Sequence, residues 1–196
     1  MFLLTQNLYS ALITKSVVIR ATNKYGVGAK KRFLAIYKLL LKDLKRASIS
    51  KKLNVVNIWF NYLPYASDER VYHKRDYWAT LYEFVGHNMG DCEDYTIAKY
   101  YTLKALGIDP HRMKFTYVIY KNKYGKKIAH MVLAYLKVPR PKYKKDILIL
   151  DNNNQRILPA SKRRDIVKVI KMINGDTGAK SKKWKQLERN MQRKKI

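Results

Sequence analysis

The single cysteine of the chain, Cys92, lies in the run Gly90-Asp91-Cys92-Glu93-Asp94-Tyr95, flanked by three carboxylates. A turn-prone stretch, Gly86-His87-Asn88-Met89-Gly90, precedes it, and apolar residues follow at Ile97, Ala98, Tyr101, Ala105 and Leu106. This pattern predicts a helix that starts at Cys92, with Asp91 as its N-cap and Asp94 in the position of a capping-box acid. A helix start offers unpaired N–H groups and about half a positive charge, which favours thiolate over thiol. That is a place for a nucleophile. The adjacent acids oppose it, since one like-charge pair at ~4 Å costs about 1 kcal/mol in bulk water and about 4 kcal/mol at an effective dielectric of ~20. Lysines could neutralise them, and three hard oxygen donors at Asp91, Glu93 and Asp94 also suit a Ca2+ ion. The plain alternative is a buried cysteine behind an acid-rich helix cap.

A thiol nucleophile needs a base, and a base needs an orienting group. His130 stands near the start of a predicted strand over 128–138, and Asp151 ends the next one, over 146–150. Antiparallel pairing across the turn at 139–145 would make them neighbours. An imidazole there can take the thiol proton and later protonate a leaving amine, while the carboxylate fixes its tautomer. Each residue also has an ordinary reading: His130 as a histidine at a strand edge, and Asp151, followed by Asn152, Asn153 and Asn154, as turn chemistry. His73 and His111 fall in polar loops, and His87 is the nearer rival to His130.

Around these residues the chain predicts N-terminal helices followed by an antiparallel sheet. The segment 2–20 reads as a short apolar helix or irregular packing segment, broken at 23–28. An amphipathic helix over 29–47 places Phe33, Ile36, Tyr37, Leu40, Leu41 and Leu44 on one face. Ser50 is expected to cap a helix over 51–62 that buries Leu53, Val56, Ile58 and Phe60 and ends at Pro64. An aromatic loop with Tyr72, Tyr77, Trp78, Tyr82 and Phe84 leads to the thiol, with Trp78 and Glu83 as supporting residues. After Gly107 and Pro110 come strands at 115–120, 128–138 and 146–150, joined as a meander. The polar, basic end around Trp184 reads as a weak helix or a frayed tail.

The composition suits one globular domain, 47% hydrophobic, with no internal disulfide to be drawn from one cysteine. A formal charge of +28, from 42 basic and 14 acidic residues, suggests an acidic protein, an anionic membrane or nucleic acid as partner. No zinc-finger spacing, RNP-like aromatic motif or helix-turn-helix signature is present, so no specific nucleic acid is expected. Residues 1–19 lack a basic start, an unbroken apolar centre and a small-residue cleavage site, and do not read as a secretory signal.

Several segments in register resemble the bacterial transglutaminase-like cysteine proteinases of the LapG type. They are Asp76-Tyr77-Trp78-Ala79-Thr80, Glu83-Phe84-Val85-Gly86 and the stretch from Gly90 to Tyr100, then Ala129-His130-Met131-Val132-Leu133-Ala134-Tyr135, Leu150-Asp151-Asn152 and Ile157-Leu158-Pro159-Ala160-Ser161. The likeness spans about residues 23–175, leaving a basic tail at 176–196, and departs from the family at Leu81, where a proline is common. The resemblance implies one α+β domain of papain-like, transglutaminase-like fold, with N-terminal helices and a catalytic helix packed on an antiparallel sheet. It implies a Cys92, His130, Asp151 triad and a calcium site at Asp91, Glu93 and Asp94. It further implies a periplasmic endopeptidase that clips the N-terminal region of a large RTX-type surface adhesin, releasing biofilm cells. The implied regulator is a LapD-like inner-membrane receptor for cyclic di-GMP. The rival readings are acyl transfer of the transglutaminase kind and a non-catalytic basic module that binds nucleic acid.

Overall fold

A computed structural model describes residues 12–175 and 181–196. Five strands form one antiparallel sheet in the order β4-β3-β2-β1-β5: β1 Met113–Lys121, β2 Lys127–Leu136, β3 Ile147–Asp151, β4 Asn154–Pro159 and β5 Ile166–Asn174. Six α-helices are seen among the described residues: α1 Lys15–Ala35, α2 Ile49–Asn61, α3 Asp68–Tyr72, α4 Leu81–His87, α5 Cys92–Ala105 and α6 Lys182–Gln192. The expected α+β plan, helices on an antiparallel sheet, is the one observed.

Strand alternation divides the core. Met113, Phe115, Met131, Leu133, Tyr135 and Leu150 join the main cluster with the helices, around Phe33, Phe60, Phe84, Ile97 and Tyr100. Val118, Val132, Ala134 and Ile149 form a smaller cluster on the other face, under Ile147, Ala160 and Ile166. α5 lies along β2, buried over most of its length, which explains why its polar residues include the buried Thr96, Lys99 and Thr102.

Several boundaries differ from the sequence expectations. The break at 23–28 is a kink at Gly26, whose φ of 79° only glycine takes readily, between two helical stretches of α1. The expected helix over 29–47 is the end of α1 followed by a π-helical turn, Ile36–Asp43, and Tyr37 is exposed. Ser48, not Ser50, caps α2, accepting the Lys51 N–H, and Ile58 is exposed. The aromatic loop holds two short helices. Thr80 and Glu83 close a capping box on α4, a signature overlooked behind the density of aromatic residues. The segment 2–20 lies outside the described residues up to 11 and is helical from Lys15.

The tail corrects the expectation of a frayed end, although residues 176–180 fall outside the described ones. α6 starts at Ser181, whose hydroxyl accepts the Trp184 N–H, and buries Trp184, Leu187 and Met191. The Trp184 ring packs edge-on against Phe115, Tyr100 and Trp78. Beyond α6, the Lys195 carbonyl accepts the Thr80 hydroxyl, and the Lys195 ammonium reaches Tyr77 and Glu83. Trp184→Ala is expected to cost about 3–5 kcal/mol of stability in denaturant titration, the range for deleting a large buried aromatic. A change within ~0.5 kcal/mol, typical of an exposed position, would return the tail to a loose end.

Candidate active site

The first turn of α5 is built by its acids. Asp91 Oδ1 accepts the Glu93 N–H at 3.2 Å and Asp94 Oδ2 the Asp91 N–H at 3.4 Å, the capping box expected from the sequence. The other oxygen of Asp94, Oδ1, accepts the Ala79 N–H at 2.9 Å, which ties the loop before α4 to α5. Gly90 is required by close approach, because a Cβ there would collide with the Asp94 carboxylate and the Phe84 ring. A parallel bridge between Tyr65 and Gly90, with the Ala66 N–H on the Gly90 carbonyl, brings the start of α3 alongside.

That contact adds Asp68, which the sequence did not single out. Asp68, Asp91 and Asp94 each present a carboxylate oxygen within 4.8 Å of the others, and Asp91, Cys92 and Glu93 form a second such group. Asp68 Oδ2 accepts the Tyr77 N–H at 2.6 Å, while its buried Oδ1 has no hydrogen-bond partner. Burial and mutual repulsion push the Asp91 carboxyl up to about 8 and raise those of Asp94 and Asp68. Three clustered oxygens and an orphaned lone pair fit a hard divalent cation. Of the three acids expected to ligate calcium, Asp91 and Asp94 lie in this group with Asp68, and Glu93 turns towards the sulfur.

The Cys92 S–H donates to Glu93 Oε2 at 2.8 Å. Burial, then Glu93 and Asp91, push the thiol up, while the Met131 N–H acts on the sulfur in the opposite sense. Sheet register explains that amide. β3 pairs with β2 only from Leu133 to Leu136, so Met131 lies beyond the last rung and is free to serve a side chain. The Thr96 hydroxyl bolts α5 to the same spot through the carbonyls of Cys92 and Met131, at 2.8 and 3.3 Å.

His130 is the residue before Met131, and alternation places it on the sheet face of Val132 and Ile149. There its Nε2 is 2.8 Å from Asp151 Oδ1, with side chains 6% and 0% exposed. This is the cross-strand pairing expected for the two residues. Asp151 Oδ1 also accepts the Asn153 N–H at 2.9 Å, and Oδ2 meets Arg163 Nη2 at 2.6 Å. The Asp151 carbonyl accepts from Asn61, whose side-chain oxygen accepts the buried Lys99 ammonium at 2.6 Å. Burial lowers the Lys99 amine to about 7. Arg163, Lys99 and Asn61 were not foreseen, and no spacing rule would have separated two of these cations from the 42 in the chain.

The remaining expected residues have structural surroundings. His87 packs against the rings of Tyr25 and Tyr72, and Glu83 caps α4 and accepts the Tyr77 hydroxyl.

A thiol at a helix start, against the strand that carries a buried imidazole–carboxylate pair, is the plan shared by papain-like proteinases and transglutaminases. The sequence profile of the bacterial transglutaminase-like cysteine proteinases matches residues 41–192, and the chain belongs to that family. Solved structures of LapG from Legionella pneumophila superpose on it. The calcium-bound form has 29% identity and a TM-score of 0.71 over 90% of this chain and 98% of that one. The EGTA-treated form has 31% identity and a TM-score of 0.74, and a further LapG structure 32% and 0.72, each over 90% of this chain and 96% of the other. A sequence search of curated proteins finds no match.

Hydrogen bonds and cationic neighbours hold the Asp151 carboxyl well below its usual range, outweighing the opposing effect of burial. A depressed folded-state pKa contributes stability that is full above the unfolded value, about 3.9, and is lost as pH falls through the folded one. Asp151→Asn should therefore flatten the acid limb of urea stability measured from about pH 5 downward, while costing about 3–5 kcal/mol near neutrality by breaking a buried ion pair. An acid limb as steep as that of the wild type would contradict the assignment.

Proposed function

We propose that the protein is a calcium-dependent cysteine endopeptidase in which Cys92, His130 and Asp151 act together. The observation that carries this is the buried His130–Asp151 pair one residue along β2 from the amide at the Cys92 sulfur. With Nε2 committed to Asp151, His130 has Nδ1 to exchange a proton with the thiol. The Cys92 sulfur attacks the scissile carbonyl as the imidazole takes its proton, and the imidazolium then protonates the leaving amine. Water hydrolyses the resulting thioester through the same ring. Asp151 holds the tautomer and stabilises the imidazolium. N–H groups at the start of α5 would hold the developing oxyanion.

Asp68, Asp91 and Asp94 would hold the calcium ion, with Glu93 at the margin of the site. When bound, the ion supplies positive charge against the cluster that raises the thiol. The relationship to calcium-bound LapG supports this reading, as does the carboxylate group itself.

The substrate we infer is the N-terminal region of a large RTX-type surface adhesin, cleaved in the periplasm to release biofilm cells, with a LapD-like cyclic di-GMP receptor as regulator. Family membership supports this, and the charge of +28 suits an acidic partner reached by electrostatic steering.

Incubation with an adhesin N-terminal fragment tests the reading. Wild type should produce new peptide ends, and Cys92→Ala should be slower by at least ~10⁴-fold, the scale for losing a covalent nucleophile or its partner. EGTA should stop cleavage and calcium restore it. Cleavage by the alanine variant would remove the nucleophile, activity indifferent to EGTA would remove the metal, and an isopeptide product would mark an acyl transferase.

A further inference from the structure

We propose that Arg163 is a positioning residue for the reaction, holding the Asp151 carboxylate ionised and aimed so that His130 keeps its Nε2–H tautomer. The inference rests on the proteinase reading above and adds to it a residue outside the expected three.

Arg163 follows the 3₁₀ turn Ala160–Lys162, and its backbone is fixed there by bonds from its own N–H to Ala160 and from the Ile166 N–H to its carbonyl. Its side chain is 1% exposed. Asp165 grips the guanidinium, taking Nε at 2.8 Å on Oδ1 and Nη2 at 2.6 Å on Oδ2. Held in this way, Nη2 also lies 2.6 Å from Asp151 Oδ2. The two oxygens of Asp151 are thus divided. Oδ1 serves His130 and the Asn153 N–H, and Oδ2 serves Arg163. Without the guanidinium, Oδ2 would be a buried lone pair with no side-chain donor, and the carboxylate could rotate or take a proton. Either change removes the acceptor that fixes the ring.

Charge balance explains why a second acid is present. Arg163 alone would cancel the negative charge of Asp151 that an imidazolium needs, but with Asp165 the trio retains one net negative charge. The other titratable groups acting on Asp151 are Lys99 from α5 and Tyr120 from β1. A stabilising role alone explains the arrangement poorly. Buried ion pairs are seldom net stabilisers, and Arg163 also keeps an unpartnered buried Nη1.

The test uses the full chain carrying Arg163→Met, with Arg163→Lys as the charge-conserving control. Turnover of the adhesin fragment gives kcat and KM, and ¹⁵N spectra of labelled histidine give the His130 tautomer. The tautomer needs no substrate, so it decides the role of Arg163 even if wild type fails to cleave and the proteinase reading falls. Arg163→Met should lower kcat roughly 10- to 100-fold with KM within about 2-fold, the effect of one hydrogen bond to a charged group. The ring should pass from one tautomer to a mixture, with lysine restoring part of both. An unchanged tautomer, whether or not activity is lost, overturns the proposal, as does a kcat equal to that of wild type in an enzyme that cleaves. Should the methionine variant fail to fold, the lysine variant decides by the same readings, since an ammonium cannot keep both acids in the fork geometry.

Discussion

The structure depends on keeping four carboxylates together at the first turn of a helix, with Asp91 and Glu93 at the sulfur and Asp68 and Asp94 grouped with Asp91. Each pair of like charges at ~4 Å costs about 4 kcal/mol at an effective dielectric of ~20, and half a charge from the helix start cannot offset several such pairs. The fold meets part of the cost with N–H donors. Ala79 and Asp91 donate to Asp94, Tyr77 to Asp68 and Glu93 to Asp91. The Asp91 carboxyl still stands at about 8, and the thiol is raised with it. The proposed cation is the natural counterpart of this unbalanced charge.

The second requirement is a base that the acids do not disturb, and sheet register supplies it. β3 stops pairing with β2 at Leu133, which leaves the Met131 amide to the sulfur, while His130, the preceding residue of β2, meets Asp151. There the charge of Arg163 is shared between Asp151 and Asp165, whereas around the sulfur the acids have no such cation among the described residues. α6 and the residues after it brace the arrangement from outside, since Lys195 bonds the Thr80–Glu83 cap next to the loop that feeds Ala79 and Tyr77 into the acid cluster.

Much of this was legible in the sequence where physics is local. The Asp91 cap and its box, the start of α5, and the three middle strands follow from spacing and β-branched runs, and the His130–Asp151 juxtaposition follows from a meander with a short link. What escaped depends on distant contacts. Asp68 joins the acids only through the Tyr65–Gly90 bridge, and Arg163 looks like any other residue in a basic run until the chain turns it inward. β4 was hidden by the asparagine turn that starts it, and α6 by its lysines, because the burial of Trp184 is decided by Phe115 and Tyr100 far away in sequence.

Positive charge brought to the acid cluster should set the state of the sulfur. Because Cys92 is the only cysteine, its alkylation rate against pH, with calcium and with EGTA, reports that directly. Calcium should move the reactive thiolate to markedly lower pH, and EGTA should leave the thiol protonated and slow well above neutrality. Superimposable profiles in the two conditions would contradict this.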